Sequence, residues 1–219
     1  MLLIFDCDGV IIDSTILHTE AEAECFQKLG ITLTQRQLKE RFAGVSDADV
    51  FRALETETGI KIPADMRSRL DQEKRVLFGR KLKVMPGLQD ILEDIRNIPS
   101  CVASGSSVNM LSYTLTLTNL VSFFGPRIFS ADMVSRGKPF PDLFLYAAAR
   151  MGVRPEDCII IEDSRAGVQA GKAAGSKVIG FFGGSHCDEH HGDMLLEAGA
   201  DYTLSFLGDL PDLLKSIHP

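Results

Sequence analysis

The sequence predicts an α/β protein: a mostly parallel β-sheet covered by helices on both faces, with a helical insertion after the first strand. Three observations predict it. Short apolar runs recur along the chain, separated by amphipathic helical stretches. One interval, residues 14–83, carries helical periodicity and no convincing strand. The polar residues able to do chemistry follow the apolar runs, where strand ends meet loops.

In chain order, the first run (2–5) is apolar at every position, as a strand buried on both faces requires. Helical patterns follow at 17–29, 35–42, 47–58 and 64–82. Val84-Met85-Pro86-Gly87 punctuates the chain before a helix expected over 88–97. Runs at 101–103, 128–129, 158–161, 178–182 and 202–206 supply the remaining strands. The expected division is a core of residues 1–13 and 84–219 and a helical unit of residues 14–83.

With 219 residues, 45% of them hydrophobic, the chain can bury a sizeable core. Its formal charge of -7 excludes a basic surface built to hold nucleic acid or anionic membrane, so a small-molecule partner is expected. Five cysteines, an odd number with no CxxC pair, fit a reducing compartment. The apolar start meets Asp6 too early for a signal peptide, and no stretch approaches the roughly 18 apolar residues of a membrane span. A soluble, cytoplasmic protein is expected, monomeric or weakly dimeric.

Four groups carry candidate chemistry, and each also has a plainer reading. Asp6 ends the first strand and Asp8 follows two residues later, with Gly9 allowing a sharp turn; Asp and Gly also populate ordinary turns. Ser104 ends a strand, and Gly105 and Ser106 lead into a helix whose amino terminus favours anions, or Ser simply caps it. Lys138 sits in a Gly- and Pro-framed loop, where lysines are usually solvated. Glu162 and Asp163 end a strand before a helix, where acids also suit the helix dipole.

All four follow strands, so a parallel sheet gathers them on one edge. Two carboxylates about 4 Å apart repel by roughly 4 kcal/mol at an effective dielectric near 20, so such a cluster implies a cation. Oxygen ligands together with phosphate point to Mg²⁺. The expected chemistry is attack of Asp6 on phosphorus, with Lys138 stabilising the transferred group and Ser104 orienting it. Asp8 serves as acid for the leaving group and then as base for water.

These residues, Asp6-Cys7-Asp8-Gly9-Val10, Ser104, Lys138 and Glu162-Asp163, resemble the four motifs of the haloacid dehalogenase superfamily in order and approximate spacing. The resemblance implies a Rossmann-like core with a helical cap of the β-phosphoglucomutase-like branch. It also implies a metal site of Asp6, the Asp8 carbonyl, Asp163 and Glu162. Asp13-Ser14 and His18 resemble the start of that cap, and Phe42-Ala43-Gly44-Val45-Ser46 its substrate-facing loop, making Gly44, Ser46, Asp47 and His18 candidate substrate contacts beside Gly105 and Ser106.

Mutases of this branch carry an arginine soon after the Gly-Val-Ser segment and a lysine after the motif serine. This chain has Asp47 and Ser107 there, so a distal pocket poor in cations is expected, and with it a sugar or sugar-acid phosphate phosphatase, similar to the 6-phosphogluconate phosphatases of this branch, rather than a phosphomutase. A phosphoacceptor signalling domain and an inert metabolite-binding scaffold share parts of the set; the early acid pair and the long insertion argue against the first, and the filled catalytic positions against the second. His186-Cys187-Asp188-Glu189-His190-His191 reads as a solvated loop, with a transition-metal site as the alternative.

Overall fold

The structure is a computed structural model that describes residues 1–217. Six strands, β1 (Leu2–Phe5), β2 (Ser100–Ser104), β3 (Ile128–Ser130), β4 (Cys158–Glu162), β5 (Lys177–Phe181) and β6 (Tyr202–Leu204), form one all-parallel sheet in the order β3-β2-β1-β4-β5-β6. Chain order reverses on either side of β1, so a crevice opens at the carboxyl ends of β1, β2 and β4.

The apolar strands follow from burial on both faces. Leu3 and Phe5 point into one core layer, with Leu88 of α5 (Leu88–Ile91), Leu111 of α6 (Val108–Leu117), Phe124 of α7 (Val121–Phe124) and Leu214 of α11 (Leu210–Ile217). Leu2 and Ile4 point into the other, with Phe144 of α8 (Asp142–Met151), Val168 of α9 (Arg165–Ala173) and Leu195 of α10 (His191–Glu197). The period-2 alternation of a strand assigns these faces.

Between β1 and α5 run four helices: α1 (Thr15–Gln27), α2 (Gln35–Phe42), α3 (Asp47–Thr58) and α4 (Met66–Lys81). They bury clusters of their own, Phe26, Leu38, Val50 and Leu54 in one and Ala21, Cys25, Met66 and Leu70 in another. Thr34 and Gln37 form a capping box at the start of α2. Leu17, Phe78 and Met110 make a third cluster that ties the helical unit to α6.

The helix expected over 88–97 stops at Ile91. Beyond it the chain runs on in irregular turns, one closed by the Ile95 N–H on the Ile91 carbonyl and tighter ones by Arg96 N–H on the Glu93 carbonyl and Ile98 N–H on the Ile95 carbonyl, before Pro99 and β2. Among the described residues no helix is long and apolar enough to cross a membrane. All five cysteines are free.

Candidate active site

β1 ends at Phe5 and places Asp6 at its tip, held by the Asp6 N–H donating to the Ile161 carbonyl at 2.9 Å. β2 ends on Ser104, and β4 ends on Glu162 with Asp163 next. Lys138, in the segment between β3 and α8, is buried, and its Nζ donates to Asp6 Oδ1 at 2.7 Å and to Glu162 Oε1. Glu162 Oε2 accepts from the Ser164 N–H and hydroxyl at the start of α9, at 2.8 and 2.9 Å. Glu162 therefore has both oxygens engaged by the protein. Of the residues expected to hold a metal, it is the one whose contacts point to fixing Lys138.

Asp8 is surrounded by donors. Ser14 Oγ and His18 Nε2 lie 2.7 and 2.8 Å from its Oδ1, and the Ser106 and Ser104 hydroxyls donate to its Oδ2 at 2.7 and 3.2 Å. The Ser106 N–H returns to Ser104 Oγ at 3.0 Å, so the turn after β2 is locked around Asp8. His18, placed as a cap-hinge or substrate contact by the sequence, reaches the second carboxylate directly.

The two aspartates are in opposite electrostatic states. Burial pushes Asp6 well above the carboxylate range; Lys138 opposes this, and Glu162, Asp163 and Asp8 add to it. Asp163 is raised in the same way, by burial and then by Glu162. Burial also acts to raise Asp8, but the His18 charge and the hydrogen bonds from His18, Ser14 and Ser106 outweigh it and hold Asp8 below its usual value. Lys138 is held above the lysine range because Asp6 and Glu162 outweigh its own desolvation.

Oxygens of Asp6, Glu162 and Asp163 lie within 4.8 Å of one another. Among the described residues no hydrogen bond reaches Asp6 Oδ2 or Asp163 Oδ1. Several buried carboxylates facing one lysine, with outward oxygens left over, fit a hard divalent cation.

A cavity opens above these acids, walled by α1, α2, α4 and the loop before α3. Gly44, with φ of 78°, rests against the core: a Cβ there would overlap the Ser164 hydroxyl, and a Cβ on Gly105 would stand 2.7 Å from the Gly44 carbonyl oxygen. Asp47 lines the cavity as expected. Ser46 does not line it; its hydroxyl caps α3, bonded to Asp49 Oδ2 at 2.7 Å and accepting from the Asp49 N–H.

The expectation of a distal pocket poor in cations is corrected: Lys39 lines the cavity, and so does Lys74. Lys74 is buried on α4, its Nζ 3.0 Å from Asp47 Oδ1 and 3.1 Å from Glu22 Oε1. Leu70, Lys74 and Phe78 recur every four residues, a spacing that places Lys74 on the buried face despite the charged residues beside it. The reading of residues 186–191 as a solvated loop is also corrected. His186 and His191 are buried: His191 Nε2 is hydrogen-bonded to the Asp163 backbone carbonyl and His186 Nε2 lies 3.0 Å from Asp163 Oδ2, while His190 stays exposed. Burial pushes His186 down to about 4.

The class follows from where these groups stand: a parallel α/β enzyme working at the carboxyl edge of its sheet, closed over by helices. The chain belongs to the haloacid dehalogenase-like hydrolase family, whose profile matches residues 3–181. It is 31% identical over 213 residues to a 6-phosphogluconate phosphatase of Escherichia coli K12, covering 97% of this chain and 93% of that protein. It is 28% identical over 213 residues to a beta-phosphoglucomutase of Bacillus subtilis, covering 94% and 92%. A solved haloacid dehalogenase-like protein of unknown function from Agrobacterium tumefaciens matches with a TM-score of 0.81 and 35% identity, covering 100% of this chain and 99% of the other.

Proposed function

We propose that this chain hydrolyses the phosphate monoester of a small hydroxyl-rich metabolite, a sugar or sugar-acid phosphate, through a phosphorylated Asp6. The observation that carries the reading is the division of labour between Asp6 and Asp8. One is dry and gripped on a single oxygen by Lys138; the other is ringed by four donors.

A divalent ion, Mg²⁺ by its oxygen donors, would be held by Asp6, Asp163 and the Asp8 carbonyl, would favour ionised Asp6 and would polarise the phosphoryl oxygens. Lys138 holds Asp6 Oδ1 and leaves Oδ2 to attack phosphorus. The Ser104 and Ser106 hydroxyls orient the transferred group. The Asp8–His18 pair, 2.8 Å apart, carries the proton that passes to the departing oxygen, and Asp8, held as a carboxylate, later takes one from the water that cleaves the aspartyl-phosphate.

The pocket supports the substrate class. Lys74 faces two carboxylates, Glu22 and Asp47, whose oxygens can accept hydrogen bonds from hydroxyls, and Lys39 also lines the cavity. A second phosphate would meet those carboxylates at close range, which favours hydrolysis over the bisphosphate handling a mutase requires. The E. coli relative makes 6-phosphogluconate the first substrate to try.

Assay of p-nitrophenyl phosphate and a panel of phosphorylated sugars and sugar acids tests the reading. Phosphate release is expected with Mg²⁺, loss to background in EDTA, and recovery when Mg²⁺ is restored. β-Glucose 1-phosphate is expected to yield glucose; glucose 6-phosphate as the main product would establish the mutase instead.

The contact at Gly44 gives a second expectation. Gly44→Ala forces a side chain into a left-handed backbone costing about 1–2 kcal/mol, against a hydroxyl already in place. Since about 1.4 kcal/mol is a tenfold change, kcat/KM is expected to fall about tenfold or more. The strain is borne by the folded state, so the apparent melting temperature should fall as well, by about 2–8 °C at roughly 2–4 °C per kcal/mol.

A further inference from the structure

We propose that His186 and His191 are positioning residues that fix Asp163 for its cation, so that the segment between β5 and α10 sets the affinity of the ion. The proposal rests on the reading of Asp163 as a cation-binding carboxylate.

Asp163 is gripped twice from the neighbouring strand's connection. His186 Nε2 lies 3.0 Å from its Oδ2, and His191 Nε2 lies 2.7 Å from its backbone carbonyl oxygen. The two rings meet edge to face, with centroids 5.2 Å apart and planes at 89°, so each limits the rotation of the other. On its other side Oδ2 lies against Gly9, where a Cβ would overlap the carboxylate. Oδ2 is thus wedged between a glycine and an imidazole, and no hydrogen bond among the described residues engages Oδ1. Groups that orient a ligand in this manner typically change metal affinity by about 10–100-fold when removed.

The cost of holding His186 there is visible. Its Nδ1 is the one buried side-chain polar atom among the described residues with no hydrogen-bond partner. Leaving such an atom unpaired is unfavourable, yet the ring is seated where Gly184 makes room, since a Cβ at that glycine would stand 2.7 Å from Nδ1. The ring's placement therefore satisfies Asp163 rather than itself.

His186, Cys187 and His191 also offer ligand atoms within 4.8 Å of one another, the geometry of a separate soft-metal site. His191, however, directs Nε2 at the Asp163 carbonyl, and His186 Nε2 lies between Asp163 Oδ2, at 3.0 Å, and Cys187 Sγ, with which it is hydrogen-bonded at 3.4 Å. The thiol is the group that separates the two arrangements.

The experiment is a binding titration of the full chain with Mn²⁺ followed by electron paramagnetic resonance, and with Mg²⁺ by calorimetry. His186→Phe and His191→Phe keep the bulk and remove the donor; each is expected to weaken binding about 10–100-fold. His186→Gln, whose amide can still donate to Oδ2, should restore most of the affinity. In the assay the Phe variants should need more Mg²⁺ while approaching the parent kcat at saturation. Melting in EDTA reports whether they fold, and if His186→Phe does not, His186→Ala carries the same expectation. Cys187→Ser should bind as the parent does.

Parent-like binding by the His186 and His191 variants overturns the proposal. So does Cys187→Ser weakening binding as much as they do, which would mark the thiol as a ligand. Asp163→Asn separates the two levels: if it binds Mn²⁺ as the parent does, the assignment of Asp163 itself fails. If it loses binding while the histidine variants keep it, only the positioning role fails.

Discussion

Asp6→Asn is expected to lower kcat by a factor on the order of 10⁴ or more, the scale at which removal of a nucleophile leaves only binding and electrostatic contributions. The substitution keeps the shape of the side chain and an oxygen for Lys138, so what is lost is the charged atom that bonds to phosphorus. The fold should survive. Burial disfavours the ionised form of Asp6, and Lys138 retains Glu162 as a partner, so the gain from losing a desolvated charge offsets the weakened contact. In EDTA the melting temperature should stay within a few degrees of the parent, where about 1 kcal/mol corresponds to roughly 2–4 °C for a chain of this size. Mass spectrometry after rapid quenching should find a phosphorylated protein in the parent and none in the variant. Turnover at a tenth of the parent rate would remove Asp6 from the covalent role.

Much of this arrangement is visible in the sequence because strand tips are local features. An all-apolar run such as 2–5 must be buried on both faces, so it belongs in a parallel sheet, and whatever polar residue follows it emerges at the carboxyl edge. Asp6, Ser104 and Asp163 are placed by that rule alone. Lys138 needs one step more, since only the fold shows that its loop turns back over β1 and buries the ammonium between two carboxylates.

Long-range partners are less legible. His186 and His191 meet Asp163 because β5 lies beside β4, a fact of strand order that no spacing along the chain encodes. Ser46 is legible locally: a serine before Asp-x-Asp has the form of a helix cap, and its hydroxyl bonds Asp49 in that role. Lys74 was legible but needed a different question. The four-residue rhythm of Leu70, Lys74 and Phe78 marks it as buried, and a buried lysine requires carboxylates, which Asp47 and Glu22 provide.

Lys138→Met is expected to have the largest combined effect on stability and turnover. Lys138 is the cation between Asp6 and Glu162, and all three side chains are out of solvent. Its removal leaves two buried carboxylates unneutralised, a loss of about 3–5 kcal/mol, which at roughly 2–4 °C per kcal/mol lowers the melting temperature by about 6–20 °C. Turnover should fall by a factor on the order of 10² to 10³ at saturating Mg²⁺, the scale of losing one preorganised charge at the transferring group. The two effects have different origins, and the double variant Lys138→Met/Glu162→Gln separates them. Glu162 keeps its contacts with Ser164 when its charge is removed, so most of the lost stability should return. Turnover should not return, because no ammonium then stands beside Asp6 to stabilise the transferring group. If the double variant regained activity along with stability, Lys138 would act through the fold alone; if it regained neither, Glu162 would hold the site through something other than its charge on the lysine.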